Sequence, residues 1–156
     1  MKDENAHRFD DAIAAFGHPR YELVPTGEVY DGPGRLHELM RENETGFPDF
    51  AYHPENMHHA DEAIIVEGTF TGTHDGVWRG LPPTGRKVSF PMLIIFRFEG
   101  EAMMGERIFF DLLSVFEQLG VARDPNTIGG KIAIALGHPL TIGRGLLRSL
   151  GRRQKR

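Results

Sequence analysis

Arg107 and Asp111 stand four residues apart on a strand that is otherwise almost wholly apolar. Charged side chains on such a face are costly to bury unless they are paired or open into a solvated pocket. Asp111, at the strand end, is a candidate general acid/base. An apolar surround raises a carboxyl pKa and lets the group give and take a proton near neutral pH. The same side chain also suits the cap of a helix beginning at Leu112. Arg107 is a candidate for holding a substrate oxygen or a developing enolate. Its alternative is a structural ion pair with Asp111 or Glu106. His74 ends another strand on its apolar face, either as a second acid/base or hydrogen-bond donor or as a satisfied core histidine. Trp78 offers a flat surface to a polycyclic substrate, or simply plugs its own loop. Arg97 follows the logic of Arg107, with a surface role as the alternative. Phe109, on the face of Arg107, is a candidate apolar contact for substrate.

Other chemistries find little footing. There are no cysteines, so disulfides, thiolate metal sites and a cysteine nucleophile are excluded. His53, His58 and His59 cluster, but their spacing is not that of a zinc motif, and adjacent histidines point apart on most backbones. No metal site is expected. Gly32-Pro33-Gly34 and Gly129-Gly130 are too short for phosphate loops. No apolar run is long enough to span a bilayer, and the acidic start, MKDENAHRFDD, is unlike a secretory signal. A cytoplasmic protein is expected.

The elements that must position these side chains follow from periodicity. Lys87 to Phe98 places Val88, Phe90, Met92, Ile94, Phe96 and Phe98 on one face, with Leu93 and Ile95 on the other. A Glu99-Gly100-Glu101 break reverses the chain into a second strand, Met103 to Phe110. There, Met103, Arg107, Phe109 and Asp111 are read as one face. Glu62 to His74 is a third strand, with Gly68 and Gly72 marking curvature or a bulge. Upstream, helical spacing covers residues 7–16 and 33–44, with a short strand at Tyr21–Val24 between them. Residues 50–59 read either as a strand or as a loop around Pro54. The prediction is an α+β fold, helices against a curved antiparallel sheet, forming a cone with an apolar pocket at its open end.

The quoted strands carry a resemblance. The runs GTFTGTHDGVWRGLPPTGRKV, FRFEGEAMMGERIFFD and LLSVFEQLG, with the earlier HPRYELVPTGEVYDGP and FPDF, resemble the SnoaL-like polyketide cyclase family of the nuclear transport factor 2-like superfamily. The likeness spans roughly residues 7–120. It implies a cone-shaped α+β barrel, usually a homodimer, without metal or organic cofactor. In ring-closing members an aspartate near the end of the last strand is the general acid/base, and Asp111 matches that position. Members often carry a histidine just before the Arg or Trp of that strand; here the residue is Glu106. The implied function is a small enzyme using acid/base proton transfer on a hydrophobic carbonyl compound, as a cyclase, isomerase or dehydratase. The alternative is a non-catalytic binding or accessory module using the same pocket.

Two domains are expected, a cone over residues 1–120 and a basic helical extension over 121–156. The extension carries eight Lys/Arg and one acid, a net of +7, against −11 for the rest. It lacks the aromatics that nucleic-acid and membrane arms normally use, so neither partner is expected. It is expected to fold back as helices on the acidic body. The sheet face with Ile65, Leu93 and Ile95 is expected to bury itself in a homodimer.

Overall fold

The computed structural model describes residues 2–153. Met1 and the last three residues of the predicted extension lie outside them. The elements run α1 (Lys2–Asn5), α2 (Phe9–Ala14), β1 (Arg20–Leu23), β2 (Glu28–Asp31), α3 (Pro33–Gly46), β3 (Ala51–Ala60), β4 (Ala63–Thr73), β5 (Lys87–Glu99), β6 (Ala102–Phe110), α4 (Leu112–Gln118), α5 (Ile128–Gly137) and α6 (Pro139–Arg153). Six strands form one curved, unclosed sheet in the order β2-β1-β6-β5-β4-β3. All neighbours are antiparallel except β1 and β6, which run parallel. The α+β cone and the three long antiparallel strands expected from periodicity are present.

The helices bury apolar faces against the concave side. In α3, Pro33 starts the first turn, and Leu36, Leu39 and Met40 recur at helical spacing and are buried. Phe9, Ala12 and Ile13 of α2 join the same core. A second cluster, with Phe47, Trp78, Val88, Phe90, Val115 and Leu119, fills the other end of the cone under α4. Two glycines make close approaches possible. A Cβ on Gly68 would lie 2.4 Å from the His53 carbonyl and 2.7 Å from the Tyr52 ring. Gly105, at φ +150°, would place one 2.4 Å from the Arg20 carbonyl, so its bare backbone lets β1 join the sheet beside β6.

One open reading is settled and two expectations need correcting. Residues 50–59 form most of a ten-residue strand, β3, and a register shift between Pro54 and Asn56 accommodates the proline at a bulge on the sheet edge. On β6, Met103 does not share a face with Arg107 and Phe109. Arg97 pairs with Gly105 and Phe98 with Met103, so β6 carries one extra residue there. That bulge reverses the parity: Met103 packs against the core, and so do Ile108 and Phe110. Finally, the extension is helical, but residues 131–142 are exposed rather than buried against the cone, and α5 contacts α6.

Candidate active site

A cavity of about 130 Å³ lies between the concave sheet face and the helices. Its walls are mostly aliphatic and aromatic: Leu23, Met92, Ile94 and Ile108 from the strands, Leu39 and Met40 from α3, with Phe70, Phe90 and Phe110 nearby. Most of its polar groups are committed to structure. The Tyr52 hydroxyl lies 3.1 Å from the carbonyls of both Val66 and Met92. Trp78 Nε1 donates to Asn43 Oδ1 at 3.1 Å. Asn5 bonds both the amide and the carbonyl of Tyr52, at 2.8 and 2.7 Å, and so ties α1 across the cavity to β3. Arg79 is paired with Glu28.

The remaining polar residues form a cluster of three: Glu106 on β6, Tyr21 on β1 and Glu4 on α1. Glu106 and Tyr21 are directly opposite in the parallel β1–β6 pairing, so the sheet itself holds them together. The Tyr21 hydroxyl donates to the Glu4 carboxylate and also engages Glu106. Glu106 is 5% exposed, the one buried carboxyl among the described residues. Burial, and then the nearby Glu4 charge, pushes its carboxyl well above the usual carboxylate range. Burial also pushes the Tyr21 hydroxyl upward, with the two glutamates adding to the effect. The result is a carboxyl of raised pKa and an un-ionised phenol facing an apolar space.

The six residues singled out from sequence fare differently. Trp78 lines the cavity. Arg107 and Phe109 lie on the opposite face of β6 from Glu106. Arg107 donates to both carboxylate oxygens of Glu22, each at 3.1 Å, and sits over the Phe109 ring, so its partner is neither Asp111 nor Glu106. Asp111 is exposed and its Oδ1 accepts the Leu113 amide at 3.0 Å, capping α4. Arg97 is exposed on β5. His74 is wholly buried but outside the cavity wall. Its Nδ1 lies 3.1 Å from Thr84 Oγ1, its backbone bonds Arg86, Thr84 and Gly85, and Phe47 packs on its ring. It pins the 74–86 loop, and burial lowers its pKa. The residue that sequence reasoning passed over is Glu106. Its signal was there: a carboxylate between glycine and arginine on an apolar strand.

Among the described residues, no group of three or more His, Asp or Glu is arranged to hold a metal ion, and no helix is long and apolar enough to cross a membrane.

Comparison with known proteins points one way. The family model of the SnoaL-like polyketide cyclases matches residues 3–119. Curated proteins provide no match. Among solved structures, a candidate SnoaL-like polyketide cyclase from Jannaschia sp. CCS1 is 25% identical, with a TM-score of 0.60 over 67% of this chain and 72% of that one. IdmH, a candidate polyketide cyclase from Streptomyces antibioticus, is 19% identical, with a TM-score of 0.65 over 77% and 92%. AclR, a candidate hydroxylase from Streptomyces galilaeus, is 18% identical, with a TM-score of 0.67 over 78% and 90%. The last two, below 25% identity, share the fold and leave the chemistry open. With its model matched over most of its length, the chain belongs to the SnoaL-like polyketide cyclase family.

Proposed function

We propose that this protein is a small enzyme that transfers protons on a hydrophobic carbonyl compound, with Glu106 as general acid/base and Tyr21 as donor to the carbonyl oxygen. The observation that carries this reading is a single buried carboxyl, raised in pKa, opening into an apolar cavity beside an un-ionised tyrosine. A carboxyl of raised pKa is a stronger base once ionised, and in its protonated form it returns the proton to oxygen or to a second carbon. As the enolate forms, negative charge grows on the substrate oxygen. Tyr21 then turns its hydroxyl from Glu4 to that oxygen, in a site where water is too scarce to screen the interaction. Ring closure, double-bond migration or loss of water would each follow from such an enolate. The reaction written this way uses only the chain's own acid, base and hydroxyl groups. At about 130 Å³ the cavity is close to the ~150 Å³ of an engineered cavity that holds benzene, which favours a single-ring substrate or a single-ring portion of a larger one. Trp78 supplies part of the flat wall against which such a ring would pack.

The test is deuterium exchange. Single-ring hydrophobic ketones incubated in deuterated buffer should gain deuterium next to the carbonyl, followed by NMR. Glu106→Gln should slow exchange by about 10²–10⁴-fold. Equal exchange by the two proteins would remove Glu106 from the chemistry. Tight binding of the ketone without exchange in either protein would favour the binding-module reading.

We also propose that the chain is a homodimer through its outer sheet face. Ile65, Leu93, Ile95 and Phe109 are only partly exposed side chains brought together there by the register, and none belongs to either core cluster. Sedimentation velocity at micromolar concentration should show a dimer that Ile95→Glu converts to monomer. A monomeric wild type would reject it.

A further inference from the structure

The C-terminal extension is built unlike anything that belongs on the cone. Ile128, Ile132, Leu136 and Leu140 recur every fourth residue through α5 and into the start of α6. They are 80%, 54%, 77% and 77% exposed. After Asp124 the sequence holds no acid, and its cations include Lys131, Arg144 and Arg148. An apolar stripe and a strictly basic charge pattern therefore occupy the same short helices. The cone is strongly acidic and always within reach, yet these side chains do not settle on it.

We infer that residues 128–153 are an interfacial segment that lies on an anionic lipid surface. Charge and apolarity together select this occupant. An acidic protein surface would answer the arginines, but the chain's own acidic cone is present in every copy and the stripe stays exposed. Nucleic acid would answer the arginines but gives isoleucine and leucine nothing to insert into; such arms use aromatic side chains for stacking. A bilayer with anionic headgroups answers both: the stripe enters the acyl boundary and the cations meet the phosphates. The geometry agrees. At 10 and 15 residues, α5 and α6 are too short to cross, and the break at His138 lets each lie along the surface. Leucine and isoleucine replace the aromatics whose absence had argued against a membrane. Such an anchor would hold the cavity beside the phase into which hydrophobic carbonyl compounds partition. The inference is independent of the proton-transfer reading.

The experiment is flotation of the full-length protein with vesicles of phosphatidylglycerol and phosphatidylcholine, with pure phosphatidylcholine vesicles as a second arm. Binding is expected to the anionic vesicles, weaker by at least about tenfold on the neutral ones and weakened by added salt. Arg144→Glu/Arg148→Glu and, separately, Ile132→Ser/Leu136→Ser should each reduce binding by about tenfold or more. Neither pair should move the thermal midpoint, because these side chains are exposed. Protein left with the anionic-vesicle-free fraction overturns the inference. So does binding that survives both double variants. A duplex DNA bound as well as the vesicles, or a dimer that Ile132→Ser/Leu136→Ser dissociates, would assign the stripe to nucleic acid or to a second copy and overturn it equally.

Discussion

Two buried titratable side chains sit toward opposite ends of the same sheet, and only one is placed to do chemistry. Ile64 of β4 aligns through Phe96 with Glu106 and Tyr21, whereas His74 lies just beyond the other end of β4. Both side chains have lost nearly all contact with water. Glu106 faces a cavity and shares its neighbourhood with a hydroxyl and a second carboxylate. His74 is packed solid against Phe47 and tied to Thr84. Burial alone therefore does not mark a functional group. Burial against empty space makes Glu106 the candidate, because only there can a substrate reach the atom whose pKa has been moved.

The largest expected effect is on turnover, through Glu106→Gln. That variant also sharpens the comparison through stability. The native state keeps the Glu106 proton well above the ordinary 4.5, while the unfolded chain releases it at that pH. The stabilisation is thus full below pH 4.5 and is lost as pH rises through the native pKa. His74 slopes the other way. Its native pKa lies below 6.5, so below that pH the unfolded chain takes up a proton that the native state refuses, and stability falls with falling pH. Urea titrations across pH should show Glu106→Gln flattening the decline on the alkaline side and leaving the acid side unchanged. An alkaline slope identical in the two proteins would mean that Glu106 is ionised in the fold at neutral pH.

His74→Ala comes next. It should cost about 2–4 kcal/mol, from lost packing and a lost hydrogen bond under the loop, and leave ketone exchange within about twofold once the protein is folded. Urea midpoints and exchange rates on one preparation measure both. A large fall in exchange without loss of stability would make the two ends alike after all. Smaller again is Gly105→Ala, about 2 kcal/mol, because the new Cβ must push the Arg20 carbonyl away in a backbone conformation that side chains disfavour. As β1 carries Tyr21, exchange should fall with it. A neutral Gly105→Ala would mean that β1 is free to shift.

Most of the architecture was legible because it rests on period. The long strands β4, β5 and β6, the helix over Leu36, Leu39 and Met40, and the apolar concave face all follow from spacing that survives any small local irregularity. The inward face of β6 did not follow. Reading Met103 and Arg107 as one face assumed an unbroken strand, and one extra residue between Met103 and Gly105 turns every later side chain over. A glycine inside a strand hints at such a bulge but does not say which residue is displaced. Tyr21 and Glu4 were illegible for another reason. They meet Glu106 only through a parallel β1–β6 pairing some 85 residues apart in sequence and through the docking of α1 by Asn5. Nothing local in either segment encodes those contacts.

The smallest expected effect concerns the residue that the sequence, and the family resemblance, put first. Asp111 is one residue past Phe110, whose side chain lines the cavity, so alternation sends the Asp111 side chain to the opposite side of the strand. There its Oδ1 accepts the Leu113 amide, one of the donors that the first turn of α4 cannot satisfy internally. Asparagine retains an oxygen of the same reach and caps helices about as well. Asp111→Asn should therefore shift stability by no more than a few tenths of a kcal/mol, whereas Asp111→Ala should cost about 1 kcal/mol. Ketone exchange should be unchanged in both. Thermal or urea unfolding separates the two substitutions, and exchange separates the cap from the catalyst. If Asp111→Asn lowered exchange by a hundredfold while its stability held, the proton would have to travel by the outer end of β6, and the contrast between Glu106 and His74 would lose its force.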